Sequence, residues 1–203
     1  MKVEELAVQG AFVCTPEVFP DRRGLFVSPF QREPFASVKG SPAFPVAQTN
    51  HSVSRRGVVR GIHYTVTPPG TAKYVYCPVG EAIDIVVDIR VGSPTYGTWD
   101  AVRVNPREFR AVYFPVGVGH AFISLADDTV MSYMLTGAYV PDNEKAISVF
   151  DPDLALPIPA DIDPIVSDRD SVGVRLAEAA EAGLLPDYEQ CRAVEEQLFA
   201  SGA

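Results

Sequence analysis

The residues most able to do chemistry lie between positions 60 and 73. Residues 60–64 read Arg-Gly-Ile-His-Tyr, a Pro-Pro-Gly loop follows at residues 68–70, and Lys73 comes shortly after it. The stretch combines an imidazole that can act as a base, His63, with two cations, Arg60 and Lys73. A histidine in a strand is more often structural than catalytic, so a catalytic role for His63 depends on its surroundings.

The spacing of histidines and cysteines does not predict a metal site. The three histidines, His51, His63 and His120, form no His-x-His or His-x-x-x-His pattern, and the three cysteines form no Cys-x-x-Cys pair. An odd number of scattered cysteines also argues against a disulfide framework and fits a reducing compartment. We therefore expect chemistry without a metal ion or other cofactor, in the cytoplasm.

Arg60 and His63 can serve one site only if their strand is irregular. Side chains alternate along a regular strand, which would place these two residues on opposite faces. A bulge at Gly61 would shift the alternation and direct both side chains into one cavity. The sequence thus predicts a β-bulge at Gly61.

Two aspartates interrupt the apolar stretch at residues 82–89. A buried carboxylate is costly unless it is paired, so Asp84 and Asp88 each require a partner. The alternatives are support for Lys73 or His63 and a structural pair with Arg90 or Arg103. We favour the structural pair for Asp88 but not for Asp84.

Two further groups could join the site. Tyr133 is predicted to point inward from a strand, and from its sequence alone it is more typical of the core than of a catalytic acid. Residues 167–170 read Ser-Asp-Arg-Asp, which either caps the following helix or supplies Asp170 as a partner for His63. Such a carboxylate would hold an imidazole in one tautomer and raise its basicity, as removal of a C–H proton requires.

Short strands followed by helices must position these side chains. β-branched and aromatic runs separated by Gly and Pro predict strands at residues 75–77, 82–89, 101–104, 111–114, 121–125 and 130–135. This spacing is typical of an antiparallel sandwich or barrel. Helices are predicted at residues 174–182, before Gly183, and at about residues 189–200, and we expect them to cover an open end or edge.

Length and charge narrow the function classes. With 203 residues, 47% of them hydrophobic, the chain fits a single domain, with β-structure at about residues 1–150 and a loop and helices at about 151–203. The formal net charge of -9 gives no general attraction to nucleic acid or to an anionic membrane. The acidic N-terminus does not resemble a signal peptide, and no apolar run is long enough to span a bilayer.

Over nearly its whole length the sequence resembles the dTDP-4-dehydrorhamnose 3,5-epimerase family, the cupin-fold epimerases of deoxysugar biosynthesis. Each marker is weak alone, but the ordered set is very specific. The markers lie at residues 21–24, 48–50, 60–64, 68–73, 87–95, 115–120, 133, 139, 144 and 167–170. The resemblance implies a mainly β, cupin-like jelly roll with short C-terminal helices and a dTDP-linked 4-keto-6-deoxy sugar as substrate. It also implies a homodimer in which an N-terminal strand reaches the partner's sheet.

The resemblance further implies a role for each matching residue. His63 would be the base, Asp170 its orienting partner, Tyr133 the acid on the opposite face and Lys73 the cation beside the keto oxygen. An alpha proton is removable only if the enolate oxygen is stabilised, and inversion needs proton-transfer groups on both sides of the ring. The implied substrate-binding residues are Arg23, Gln48, Asn50 and Arg60 for the diphosphate and sugar, Phe26 and Tyr139 for the thymidine, Glu144, and His120 at the sugar end, where a structural role is the alternative. Arg23 or Phe26 would act across the dimer interface.

Five positions depart from the usual rhamnose-pathway pattern. They are Ser28, Thr65, Thr71, Tyr76 and the Val-Phe pair at residues 149–150. We expect these positions to flank the ligand site and to reflect an altered sugar of an antibiotic pathway, with a 2-deoxy, 3-amino or methyl group. The sequence does not distinguish inversion at C3, at C5 or at both carbons.

Two other functions compete with epimerisation. A related cupin 3,4-ketoisomerase usually has a second histidine where this chain has Thr65. A non-catalytic nucleotide-sugar-binding cupin would have no reason to keep His63, Lys73, Tyr133 and Asp170 together.

Overall fold

The computed structural model describes residues 1–40 and 44–200 of the chain. Strands dominate this part of the molecule, and the helices are short except for the last one. The strands are β1 (Lys2–Glu5), β2 (Phe12–Thr15), β3 (Val18–Asp21), β4 (Gly24–Val27), β5 (Gln48–Ser54), β6 (Val59–Thr65), β7 (Lys73–Val79), β8 (Ala82–Val87), β9 (Trp99–Val104), β10 (Ala111–Phe114), β11 (Gly119–Ser124), β12 (Thr129–Leu135) and β13 (Glu144–Ala146). The helices are α1 (Arg32–Lys39), α2 (Asp168–Ser171), α3 (Leu176–Glu181) and α4 (Tyr188–Ala200), with a 3-10 turn at Pro141–Asn143.

Two antiparallel sheets form the jelly roll. Within the described residues, the larger sheet has six strands in the order β1-β2-β10-β7-β12-β5, and the smaller sheet has five in the order β13-β6-β11-β8-β9. Among the strands of the described ranges, β3 and β4 pair only with each other, as a separate hairpin. The predicted mainly β, cupin-like jelly roll with short C-terminal helices is confirmed.

The main core lies between the two sheets. Val75, Val112 and Met131 of the larger sheet pack with Val86 and Phe122 of the smaller sheet, and all five are buried. Apolar residues facing inward from both sheets form a continuous interior, as the alternation of side chains along each strand requires.

The two predicted helices, α3 and α4, pack on the outer faces of the sheets, so the expectation that they cover an open end or edge was wrong. Tyr74 and Tyr113 point away from the inter-sheet core and pack with Phe35 of α1 and Phe199 of α4. On the other sheet, Leu176 and Ala179 of α3 join a second apolar cluster, which includes Ile85 and Ile123. The reason is that several strands are apolar on both faces, and each such face must be covered.

The predicted strands correspond to β7 through β12, and the predicted helices to α3 and α4. β8 ends at Val87 rather than Ile89. Just beyond it, the Asp88 carboxylate accepts hydrogen bonds from Arg90, Ser93 and Thr95. The structural Asp88–Arg90 pair is thus confirmed. No helix in the described ranges is long and apolar enough to cross a membrane.

Candidate active site

A cavity of about 900 Å³ opens between the two sheets. One wall comes from β6 and β11 of the smaller sheet, and the other from β5, β7 and β12 of the larger sheet. Ten of the twelve residues expected at the site line it, namely Gln48, Asn50, Arg60, His63, Lys73, His120, Tyr133, Tyr139, Glu144 and Asp170. Within the described residues, no group of three or more His, Cys, Asp or Glu side chains could hold a metal ion.

A bulge in β6 brings Arg60 and His63 to the same cavity. His63 pairs with His120 of β11 and Arg60 pairs with Phe122, so Gly61 and Ile62 together oppose one residue. Gly61 has a φ of 127°, and a Cβ there would lie 2.6 Å from the Cα of Ala121. Glycine is therefore required at this position, and the predicted bulge is confirmed.

His63 is hydrogen-bonded to Asp170, which lies 107 residues further along the chain. The His63 Nε2 to Asp170 Oδ1 distance is 2.6 Å, and the carboxylate is buried. Burial raises the pKa of Asp170, but the hydrogen bonds from His63, Ser167 and the Gly61 backbone outweigh it and leave the pKa lowered. Ser167 caps α2 by accepting the Asp170 N–H. Both alternatives for residues 167–170 are therefore confirmed: Ser167 caps a helix, and Asp170 is the hydrogen-bond partner of His63. The capped helix is α2, which was not predicted from the sequence.

Lys73 begins β7 and pairs with Phe114 on one side and Leu135 on the other. Burial lowers the pKa of its ammonium group, while the nearby carboxylates of Glu144 and Asp84 act in the opposite direction. A buried cation interacts more strongly with a developing oxyanion than the same cation in water.

Tyr133 enters the cavity from the wall opposite His63, because β12 belongs to the larger sheet and β6 to the smaller. Its hydroxyl lies 3.4 Å from the Ser52 hydroxyl, and its ring also packs against the inter-sheet core. Burial raises the pKa of Tyr133 above its ordinary value, at which the phenol is already protonated near neutral pH. A protonated phenol has a hydrogen to donate.

A second imidazole–carboxylate pair lies in the cavity wall, where His120 lines the cavity. His120 Nε2 is 2.6 Å from Asp84 Oδ1, and both side chains are buried. Burial lowers the pKa of His120, against the opposing effect of Asp84. The hydrogen-bond partner of Asp84 is therefore His120, rather than Lys73, His63 or an arginine.

Polar side chains at the cavity are already ordered by one another. Gln48 donates to Asn50 at 2.7 Å and accepts the Tyr139 backbone N–H at 2.9 Å. Thr65 donates to Glu144 at 2.8 Å. Preorganised donors and acceptors of this kind reduce the entropy lost on ligand binding.

Arg23 and Phe26 do not reach the cavity of this chain. Both belong to the β3–β4 hairpin; the Arg23 guanidinium pairs with Asp21, and Phe26 is 67% exposed. Arg169 and Ser52 also line the cavity, although neither was predicted from the sequence. The position of Arg169 beside Asp170 in the 167–170 motif was the available signal for it.

Four residues among the departures from the family pattern fall into two groups. Thr65 and Thr71 line the cavity, as expected. Tyr76 packs on the outer face of the larger sheet, and Val149 packs in the cluster beneath α3. The expectation that all five positions flank the ligand site was wrong for Tyr76 and Val149, because the Tyr76 side chain lies on the face of β7 opposite Lys73 and Val149 packs in the cluster with α3.

Comparison with known proteins gives consistent matches over the whole fold. The sequence model of the dTDP-4-dehydrorhamnose 3,5-epimerase family matches residues 5–178. A dTDP-4-dehydrorhamnose 3-epimerase of Streptomyces niveus is 45% identical over 194 residues, covering 96% of this chain and 93% of the relative. A dTDP-4-dehydrorhamnose 3,5-epimerase of Streptomyces griseus is 42% identical, covering 97% and 98%. The structure of a 3'-monoepimerase from Streptomyces bikiniensis in complex with dTDP-quinovose superposes with a TM-score of 0.91 at 42% identity, covering 96% and 98%.

Proposed function

Because this chain belongs to the dTDP-4-dehydrorhamnose 3,5-epimerase family, we propose that it inverts a carbon alpha to the C4 ketone of a dTDP-4-keto-6-deoxyhexose, at C3, C5 or both. The observation that carries the proposal is the placement of His63 and Tyr133 on opposite walls of one cavity. A base and an acid on the same wall could only return a proton to the face it left.

In the proposed reaction, His63 removes the alpha proton and the bond electrons move to the carbonyl oxygen. The Lys73 ammonium stabilises the resulting enolate, and Asp170 stabilises the imidazolium and keeps its ring in place. Tyr133 then donates a proton to the same carbon from the other side. Solvent restores the protonation states of His63 and Tyr133 before the next turnover.

Arg60, Gln48 and Asn50 are proposed to bind the diphosphate and sugar, with Tyr139 against the thymine and Glu144 and His120 at the sugar end. A guanidinium offers paired donors to phosphate oxygens. The complex of the Streptomyces bikiniensis relative with dTDP-quinovose supports a dTDP-linked ligand. We infer a cytoplasmic, single-domain enzyme.

We further propose a homodimer in which an N-terminal strand reaches the partner's sheet and delivers Arg23 and Phe26 to the partner's cavity. The support is the isolation of the β3–β4 hairpin and its exposed apolar side chains, Phe19, Leu25 and Phe26. Large apolar side chains exposed together on one hairpin are typical of an interaction surface.

The function is tested by incubating the protein with dTDP-4-keto-6-deoxyglucose in deuterated water and following the ring protons by NMR. Exchange at C3, C5 or both, together with an inverted product, is expected and identifies the carbon. The His63→Asn variant should lose the exchange and still bind dTDP. Movement of the ketone to C3 would instead identify a ketoisomerase, and dTDP binding without exchange would identify a binding protein.

A further inference from the structure

The C-terminal helix carries a buried carboxylate that the proposed reaction does not use. Glu195 is 8% exposed and lies on the same face of α4 as buried Cys191 and Phe199. Its Oε1 accepts a hydrogen bond from the Tyr113 hydroxyl at 2.9 Å and pairs with Lys39 of α1. Its Oε2 accepts the backbone N–H of Val116 at 2.7 Å. A carboxylate is costly at a core position, so these contacts must offset its desolvation.

The Val116 contact connects α4 to a turn between β10 and β11, residues 115–118. At Gly117, where φ is 80°, a Cβ would lie 2.2 Å from the Cys191 sulfur, so the helix is in direct contact with the turn. The side chain of Val116 in turn covers Gly70, where a Cβ would lie 2.5 Å from Val116 Cγ1. The turn is thus packed between α4 and the Pro-Pro-Gly loop.

Both the turn and the loop lead directly into the cavity wall. The Pro-Pro-Gly loop continues to Thr71 and Lys73, and the 115–118 turn continues to His120. The His120 ring also packs on Phe114, just before the turn, with 4.2 Å between ring centroids. A displacement of the turn would therefore move Lys73 and His120 together.

We propose that Glu195 is a positioning residue for proton transfer. Its hydrogen bond to the Val116 N–H holds the turn and the loop so that Lys73 and His120 keep their places in the cavity. The inference rests on the proposed epimerase function. Docking of α4 does not by itself require a hydrogen-bond acceptor for the Val116 N–H, because Cys191 and Phe199 already provide apolar contacts between the helix and the sheet.

Three variants separate positioning from helix docking. Glu195→Leu removes the acceptor and should reduce kcat for deuterium exchange about tenfold to a hundredfold without changing dTDP affinity, because small displacements at reacting groups have effects of this size. Glu195→Gln combined with Lys39→Met keeps an acceptor oxygen for the Val116 N–H, while the amide N–H₂ donates to the Tyr113 hydroxyl, and should retain kcat within about threefold. Lys39→Met removes the ion pair but leaves the acceptor, so it should lower thermal stability and retain kcat. All measurements are made at a temperature at which each variant is folded.

Equal kcat values for Glu195→Leu and Lys39→Met would overturn the proposal, since Glu195 would then only help to dock the helix. If the leucine variant does not fold, Glu195→Asp keeps the charge but shortens the reach to Val116, and it should show the same loss of kcat. An independent readout is the imidazole NMR signal of His120. It should shift in the Leu or Asp variant and not in the Gln variant; unchanged signals would also refute the proposal. The His120 signal can be compared among the variants even if the wild-type protein shows no deuterium exchange. Absence of exchange in the wild type would refute the proposed epimerase function but not the positioning role of Glu195.

Discussion

Replacement of Asp170 by asparagine tests how the His63 imidazole is controlled. The buried carboxylate of Asp170 accepts a 2.6 Å hydrogen bond from His63, and the Asp170 backbone N–H donates to the Ser167 hydroxyl that caps α2. The amide of the Asp170→Asn variant is nearly the same size, so the fold should be preserved. It has no charge to stabilise the imidazolium, and it can rotate to donate to Nε2 and so select the other tautomer.

The expected loss follows from the strength of this contact. A hydrogen bond to a charged group contributes about 1.5–3 kcal/mol, and every 1.4 kcal/mol or so corresponds to about a factor of ten in rate. Loss of the charge alone should therefore slow alpha-proton exchange by about 10-fold to 150-fold, and a change of tautomer should slow it further, toward about 10⁴-fold.

The assay is the initial rate of deuterium incorporation at saturating sugar nucleotide, with dTDP affinity measured by calorimetry. Asp168→Asn is the matched control, because it removes an exposed carboxylate from the same short helix. Exchange in Asp170→Asn within about threefold of wild type, at equal affinity, would refute the orienting role.

The same variant has a predicted stability signature. Because the pKa of Asp170 is lowered in the folded protein, its ionised form stabilises the fold above the unfolded pKa of about 4, and this contribution is lost as the pH falls through the folded value. Acid unfolding of Asp170→Asn should therefore depend less steeply on pH below about 4 than that of wild type. Parallel acid-unfolding curves would contradict this.

Three further predictions test other parts of the site. Tyr133→Phe should slow formation of the inverted product more than loss of the alpha proton, and equal slowing of both steps, followed by NMR, would argue against its acid role. Glu144→Gln should shift the basic limb of the pH profile of kcat/KM to lower pH. The carboxylate of Glu144 raises the pKa of Lys73 against the effect of burial, and only the ammonium form of Lys73 stabilises the enolate. A basic limb at the same pH in the variant would exclude this coupling. Gly61→Ala should lower the free energy of unfolding by about 2 kcal/mol or more, because a Cβ would lie 2.6 Å from the Ala121 backbone at a φ that disfavours side chains. Chemical denaturation measures this change, and an unaltered denaturation midpoint would contradict the prediction.

Local sequence signals were sufficient for much of the fold. The strands β7 to β12 and the helices α3 and α4 were predictable because turn residues and side-chain alternation act over a few neighbouring positions. The bulge at Gly61 was predictable for the same reason. α1 and α2 were missed, since such short helices are stabilised mainly by tertiary packing.

The identity of the Asp84 partner could not be predicted from the neighbouring sequence. The sequence established that this carboxylate needs a partner, because a buried charge is costly. The choice of His120 depends on the antiparallel pairing of β8 with β11, which places Asp84 beside the strand that carries His120. No signal close to Asp84 in the chain distinguishes His120 from Lys73 or Arg103.

By itself, the sequence determined the chemical types available at the site and several of the short strands that present them. Only the tertiary structure decided that His63 and Tyr133 lie on opposite walls, that Asp170 reaches His63 across 107 residues, and that Arg23 and Phe26 stay outside this chain's cavity. The physical reason is that residue types and turns depend on neighbours along the chain, whereas these distances depend on sheet register and on the packing of one sheet against the other.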